Sequence, residues 1–247
     1  MTNSDILYLV IGALAGGFIN GLAGFGTALF ALGFFLSVMP ALEAVAITLL
    51  ISVLSGLQGL WIVRRAIADN PRRLARFLLP ALIGIPLGVA SLKQVDVSTL
   101  KLLIAAFLIL YGGFFTLRRT LPQIDRPTPV IDCVVGFFAG ILGGGASLSG
   151  ALPTMWCSMR AWPRYETRAV LQPFNVVVLG LSALMLAWNG AYHAQTMLYA
   201  AIALPTALVA AQLGIAVFKR LEDAVFRRLL IAVCFLSGAV LLVRELL

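Results

Sequence analysis

The sequence predicts an all-α integral membrane protein made of two inverted-topology repeats, and three observations carry that expectation. Of its 247 residues 61% are hydrophobic and only 11% are charged, against about 25% charged in a soluble domain. Continuous apolar blocks, among them 99–117 and 196–218, approach the ~20 residues a helix needs to cross the hydrocarbon core. A glycine-rich stretch, GFINGLAGFG at 17–26, returns as GFFAGILGGG at 136–145. With a mean hydropathy of +1.02, a soluble enzyme or binding module is excluded. Unbroken rather than alternating apolar runs exclude a β-barrel.

The elements follow in order. Met-Thr-Asn-Ser-Asp at the start lacks the basic n-region of a cleavable signal peptide, so the first apolar segment is expected to stay in the mature protein. That segment, 6–38, and its counterpart, 131–158, are divided by glycines into pieces of roughly 12–15 residues, a length more typical of re-entrant helices than of full spans. Each is predicted to be a broken segment that enters and leaves on one side. Three full spans follow in each half, at 41–63, 74–92 and 97–117, then at 166–188, 196–218 and 224–243, making eight segments. The Pro- and charge-bearing linker TLPQIDRPTP at 120–129 separates a first repeat, 1–122, from a second, 123–247.

The repeats align at an offset of 119 over the glycine motif, placing Gly17, Phe18, Gly21, Gly24 and Gly26 on Gly136, Phe137, Gly140, Gly143 and Gly145. Four residues added later in the second copy bring Pro40, Glu43 and Ser52 onto Pro163, Glu166 and Asn175. LGVASLK at 87–93 then matches LGIAVFK at 213–219. Pro40 and Pro163 open matching spans, and Glu43 and Glu166 sit in the first turn, where a carboxylate complements the helix dipole. Trp61 and Trp188 are expected as interfacial anchors, and Pro80 and Pro205 as kinks in equivalent spans.

Charge gives the topology. The net charge of +8 reflects the positive-inside rule rather than a nucleic-acid partner. With both opening segments re-entrant, the loops at 64–76, 118–130, 159–168 and 219–228 all face the cytoplasm and hold fifteen of the eighteen basic residues. With eight crossings, the arginines of 159–168 and the basic residues of 219–228 would face outward. Arg160 and Arg168 are accordingly read as topogenic charges. Inverted repeats of this kind are characteristic of secondary transporters with a site near the midplane.

The chemistry available there is that of an anion site. No Asp or Glu lies mid-span, and the single His193 falls in a short external loop, so intramembrane cation pathways have no residues. Cys133, Cys157 and Cys234 lack metal or redox spacing and read as small buried hydrophobes; no metal, cofactor or catalytic residue is assigned. A helix broken at Gly24–Gly26 or at Gly143-Gly144-Gly145 restarts with unpaired N–H groups and a positive dipole end, which attracts anions. Thr27 on one side and Ser147 and Ser149 on the other add hydroxyl donors. Gln172 and Asn175 share a helix face near mid-bilayer, as do Thr48, Ser52 and Ser55. Competing roles stay open: GxxxG packing for the glycines, and interhelical hydrogen bonding for Gln172 and Asn175.

The pattern GFxxGLxGxG followed by a P-x-x-E helix start, present twice, resembles the sulfite exporter TauE/SafE family of membrane transporters from Ala15 to about Val243. The resemblance implies a multi-pass permease of a bacterial-type inner membrane that exports small sulfur-containing oxyanions such as sulfite or organosulfonates. The expected partners are a small anionic substrate and the lipid bilayer, with self-association left open. The substrate-binding candidates are Gly24, Gly26, Thr27, Ser52, Gly143, Gly144, Gly145, Ser147, Gln172 and Asn175. The competing function is a membrane-embedded enzyme or assembly subunit acting on lipid or sulfur metabolites. It lacks a nucleophile set beside a base.

Overall fold

A computed structural model describes residues 3–92, 126–160 and 162–222, with isolated positions between 102 and 114 and at 124, 225, 235 and 242. The described residues form eight α-helices and no strand: α1 (Asn3–Ala23), α2 (Thr27–Phe35), α3 (Ala41–Asp69), α4 (Pro71–Leu92), α5 (Pro129–Ala146), α6 (Ala151–Ser158), α7 (Arg164–Trp188) and α8 (Ala194–Arg220). Five of these, α1, α3, α4, α7 and α8, are long and apolar enough to cross a bilayer. The protein is a multi-pass helical membrane protein. The predicted spans at 97–117 and 224–243 fall mostly outside the described residues; of their described positions, Gly112 lies against Phe235.

Both opening segments fold back on themselves. Gly24 and Gly26 take φ of 84° and 94°, a left-handed backbone open to glycine without a Cβ penalty. α2 then returns along α1, so that Phe34 and Phe35 pack on Gly12, Ala31 packs on Gly16, and the Phe34 ring lies 6.4 Å from Tyr8. In the second hairpin, Trp156 Nε1 of α6 donates to Asp132 Oδ1 in the first turn of α5 at 2.7 Å. The Ile124 N–H donates to the Met159 carbonyl at 2.9 Å, which holds the entry and exit of that hairpin together.

The helix lengths differ from expectation. α1 has 21 residues and α5 has 18, while α2 has 9 and α6 has 8; the incoming limb is long and the returning limb short. In the second hairpin the break also lies later than Gly143–Gly145. Those three glycines are helical, and α5 ends only at Ala146. The chain turns at Ser147, whose φ of 58° is left-handed; its N–H donates to Gly143 O at 3.1 Å, the 5→1 bond of an αL cap, and the Leu148 N–H reaches back to Leu142 O at 3.0 Å. Neighbouring helices explain why glycine does not break α5. A Cβ at Gly144 would press on the Ile85 carbonyl oxygen and Val89 N, and one at Gly143 on Val178 and Ser149.

The long limbs pack across the molecule, α1 along α8 and α5 along α4, with α3 and α7 crossing between them. The glycine stripes set these contacts. Gly17 and Gly21 meet the backbone of Ala207 and Ala211, and Gly214 meets that of Phe18. Likewise Gly140 and Gly144 meet the backbone of Ala81 and Ile85, and Gly88 meets that of Ile141. Corresponding contacts are related by 123 residues between α1 and α5 and by 126 between α4 and α8. The alignment of the glycine motifs at 119 is therefore corrected by one helical turn. Glycines four apart coincide with themselves when the motif slides by four residues, so letter matching fixes the face of the helix but not the turn.

Two further expectations change. The basic stretch at 64–76 is helical on both sides of a single linking residue, Asn70, because Pro71 supplies a ready first turn for α4. Trp61 therefore lies two turns inside α3, exposed and stacked under Arg64 at 3.8 Å, whereas Trp188 does end α7. Pro80 and Pro205, together with Pro86 and Pro173, lie within continuous helices. Cys157 is buried, Cys133 half-buried and both are unpaired, while Cys234 lies outside the described residues.

Candidate functional site

The tips of the two hairpins meet in the interior, and Asn175 of α7 joins them. Its Nδ2 donates to the Gly24 carbonyl at 2.9 Å, and its Oδ1 accepts the Ser149 hydroxyl. A Cβ on Gly150 would strike Phe25 and Asn175 Nδ2, so the second tip can approach the first only as bare backbone. Beside this junction is a narrow space lined by Asn20, Phe25, Gly26, Thr27, Ser52, Ser147 and Asn175, with Leu29, Leu148, Gly150 and Leu179.

The polar groups around it divide into bonded and unbonded. Asn20 Nδ2 donates to the Ser52 carbonyl at 3.0 Å and to Ser55 Oγ at 2.5 Å. The hydroxyls of Thr48, Ser52 and Ser55 each donate to the carbonyl four residues earlier in α3, so that face of α3 is internally satisfied. Thr27 Oγ1 and Ser147 Oγ are buried without a hydrogen-bond partner. One comes from the first turn of α2, the other from the break after α5, and both line the same space. An unbonded hydroxyl away from water costs about 1–3 kcal/mol, so two at one place mark where a ligand oxygen would be stabilised. The α2 N-terminus contributes free N–H groups and a positive dipole end to the same wall.

Of the ten sequence-derived candidates, Gly26, Thr27, Ser52, Ser147 and Asn175 come together around this space. Gly24 lies behind it, its carbonyl bonded to Asn175. Gly143, Gly144 and Gly145 lie within α5, two to four residues before Ser147, and are not in the lining. Gln172 is fully buried, and its amide fills a notch between α3 and α7. There Nε2 donates to the Gly56 carbonyl at 3.0 Å, and Oε1 accepts from Arg168 Nε at 3.2 Å.

Sequence reasoning missed Asn20, although an amide four residues before Gly24 in an apolar run was a readable signal. It also misplaced two arginines. Arg160 and Arg168, read as loop charges, are both buried. Arg160 ties the second hairpin, donating to the Arg126 carbonyl at 2.6 Å and reaching Asp132 at 3.3 Å. Arg168 donates to the carbonyls of Gly21 at 2.8 Å and Leu22 at 3.3 Å, at the end of α1. Its spacing with Gln172 and Asn175, four and then three residues, places all three on one helix face and was the available signal.

Glu43 and Glu166 stand in the first turns of α3 and α7 as expected. Glu166 also pairs with Arg73 at 2.8 Å, and Glu43 with His193 at 3.5 Å. Among the described residues no three His, Cys, Asp or Glu side chains converge as a metal site would require.

The profile of the family described as Sulfite exporter TauE/SafE matches residues 8–241. The chain is also similar to a Cupriavidus necator protein named probable sulfite/organosulfonate exporter TauE, with 28% identity over 165 residues. That match covers 67% of this chain and 64% of the relative, so the chain spans a little under two thirds of the relative's length.

Proposed function

The chain belongs to the sulfite exporter TauE/SafE family, and on that premise we propose that it is a secondary carrier which exports a small sulfur-containing oxyanion, sulfite or an organosulfonate, across the inner membrane. The observation that carries the proposal is the pair of unbonded buried hydroxyls of Thr27 and Ser147, residues that line one space from opposite hairpin tips. An oxyanion bound between them accepts both hydroxyls, N–H groups of the α2 N-terminus and the second amide hydrogen of Asn175. Ser52 and Gly26 shape the wall. In this reading Gln172 and Gly143–Gly145 support the site through packing rather than through contact with substrate.

The repeats 1–122 and 123–247 act as two inverted halves. Support comes from the recurrence of the α1–α8 contacts in the α5–α4 contacts and from two hairpins that each return on themselves. Alternating access then consists of rocking the halves about the tip junction, so that the space opens to one face at a time. Each exported monovalent anion gains about 2.3 kcal/mol per 100 mV of inside-negative potential, so export proceeds without a coupling carboxylate. A carrier is favoured over an enzyme because the groups lining the space are hydroxyls, amides and apolar side chains, with no base beside a nucleophile.

The test is counterflow in liposomes. Purified protein is expected to accumulate labelled sulfite against excess unlabelled sulfite or an organosulfonate inside, and to lose this in a Thr27→Val, Ser147→Ala double variant. Absence of counterflow with every oxyanion in folded wild-type protein would overturn the proposal.

A further inference from the structure

Resting on the carrier reading above and deepening it, we propose that Arg168 is the positioning cation that makes the site select anions, by neutralising the negative end of α1. Its guanidinium is almost completely buried and lies over the Phe218 ring at 4.2 Å. Among the described residues no carboxylate lies within ion-pair distance of it. Its bonds go to the Gly21 and Leu22 carbonyls and to Gln172 Oε1. A buried cation that, among the described residues, faces carbonyls, an amide oxygen and an aromatic ring rather than a carboxylate is expensive, and in a membrane helix such a residue marks function.

The fold does not require it. The position 123 residues earlier, on α3, is Val45. Among the described residues the corresponding helix end, that of α5, closes with backbone bonds from the Ser147 and Leu148 N–H groups. A helix of this architecture can therefore stop at the tip without a guanidinium.

Electrostatics gives the reason for the asymmetry. At the first break the carbonyl end of α1, worth about half a negative charge, stands beside the N–H end of α2, worth about half a positive charge. Left alone, the two cancel for any ion lying next to both. A full positive charge on the α1 carbonyls removes the negative member and leaves the break net positive. Asn175 follows Arg168 by seven residues, or ~10 Å along the helix, so the cation acts on the space without entering it.

The experiment compares Arg168→Lys, Arg168→Gln and Gln172→Glu in the full-length protein. Gln172→Glu keeps an acceptor for Arg168 Nε and places a carboxylate beside the guanidinium, cancelling the charge while retaining that bond and giving up the donor to the Gly56 carbonyl. Sulfate and methanesulfonate binding is read from ligand-induced thermal shifts in detergent, and sulfite half-saturation and maximal rate from counterflow. Arg168→Gln and Gln172→Glu are expected to raise the sulfite half-saturation at least tenfold and to weaken sulfate more than methanesulfonate. Arg168→Lys should stay within about threefold of wild type, and maximal rates should change little. Anion binding by Gln172→Glu equal to wild type overturns the charge role, even if Arg168→Gln does not fold. Equal loss in Arg168→Lys and Arg168→Gln overturns it as well. Wild-type protein that binds no oxyanion refutes the carrier reading and this inference together, whereas wild-type binding with unaffected variants refutes the inference alone.

Discussion

Asn175 is the side chain whose removal most directly tests the tip junction. Asn175→Ala deletes the donor to Gly24 O, at 2.9 Å, and the acceptor of the Ser149 hydroxyl. Side-chain hydrogen bonds inside membrane proteins average about 0.6 kcal/mol and reach about 1.7, so losing two costs about 1–3 kcal/mol and leaves both hairpin tips untethered. Asn175→Asp is the sharper perturbation. It sets a carboxylate against the Gly24 carbonyl and a negative charge at the rim of the space. A bound anion about 5 Å away is then repelled by about 3 kcal/mol at an effective dielectric of about 20, which weakens binding somewhat more than a hundredfold. Thermal unfolding in detergent reads the first effect and counterflow half-saturation the second. An Asn175→Asp protein with wild-type half-saturation for sulfite would refute the placement of the anion. An Asn175→Ala protein with wild-type stability and activity would refute the junction itself.

Other outcomes follow from the packing, the topology and one phenol. Gly21→Leu should prevent assembly, since even a Cβ there collides with the Ala211 carbonyl; Gly180→Ala, whose Cβ meets nothing closer than Val53 at 3.9 Å, should stabilise by about 0.8–1 kcal/mol from helix propensity, with yield and melting temperature as the readout. Cysteines introduced at Arg72 and Arg164 should react with impermeant reagent only from the cytoplasmic side, and one at His193 only from outside; external labelling at Arg164 would sink the inverted arrangement. Tyr192, in the turn before α8, donates to the Ala46 carbonyl at 3.2 Å, and burial holds its hydroxyl up at about 12. A raised phenol pKa means that the folded protein keeps the proton longer than the unfolded chain, whose value is about 10. The contribution of Tyr192 is therefore complete below about pH 10 and lost as pH rises toward 12, and Tyr192→Phe should flatten that part of a stability–pH curve.

How much was legible can be judged residue by residue. Gly24 and Gly26 announce a break because no other residue takes φ near 90° so readily, and the structure turns there. The second break was misplaced because Gly143–Gly145 have the same composition as a hinge, yet Gly144 is a close approach to the α4 backbone and Gly143 one to Val178 and Ser149. Thr27, Ser52, Ser147 and Asn175 were found as polar side chains in apolar sequence, which hydrocarbon does not tolerate without cause. Gln172 obeyed the same rule, and its cause is a contact between α3 and α7. Arg168 lay near a span end, where a basic residue ordinarily reaches water, and only its neighbours reveal that it does not.

The sequence by itself determined the membrane class, the recurrence of the glycine motif, the helical hairpins and the polar side chains available to a site. These follow from composition, repeat and periodicity, which are local or additive along the chain. The tertiary structure decided which helix turn of the first motif matches which turn of the second, where the second hairpin turns, and which polar groups are left unbonded. Those depend on partners distant in sequence: a glycine stripe reads the same one turn along, and a hydroxyl is satisfied or orphaned only by what another helix brings beside it.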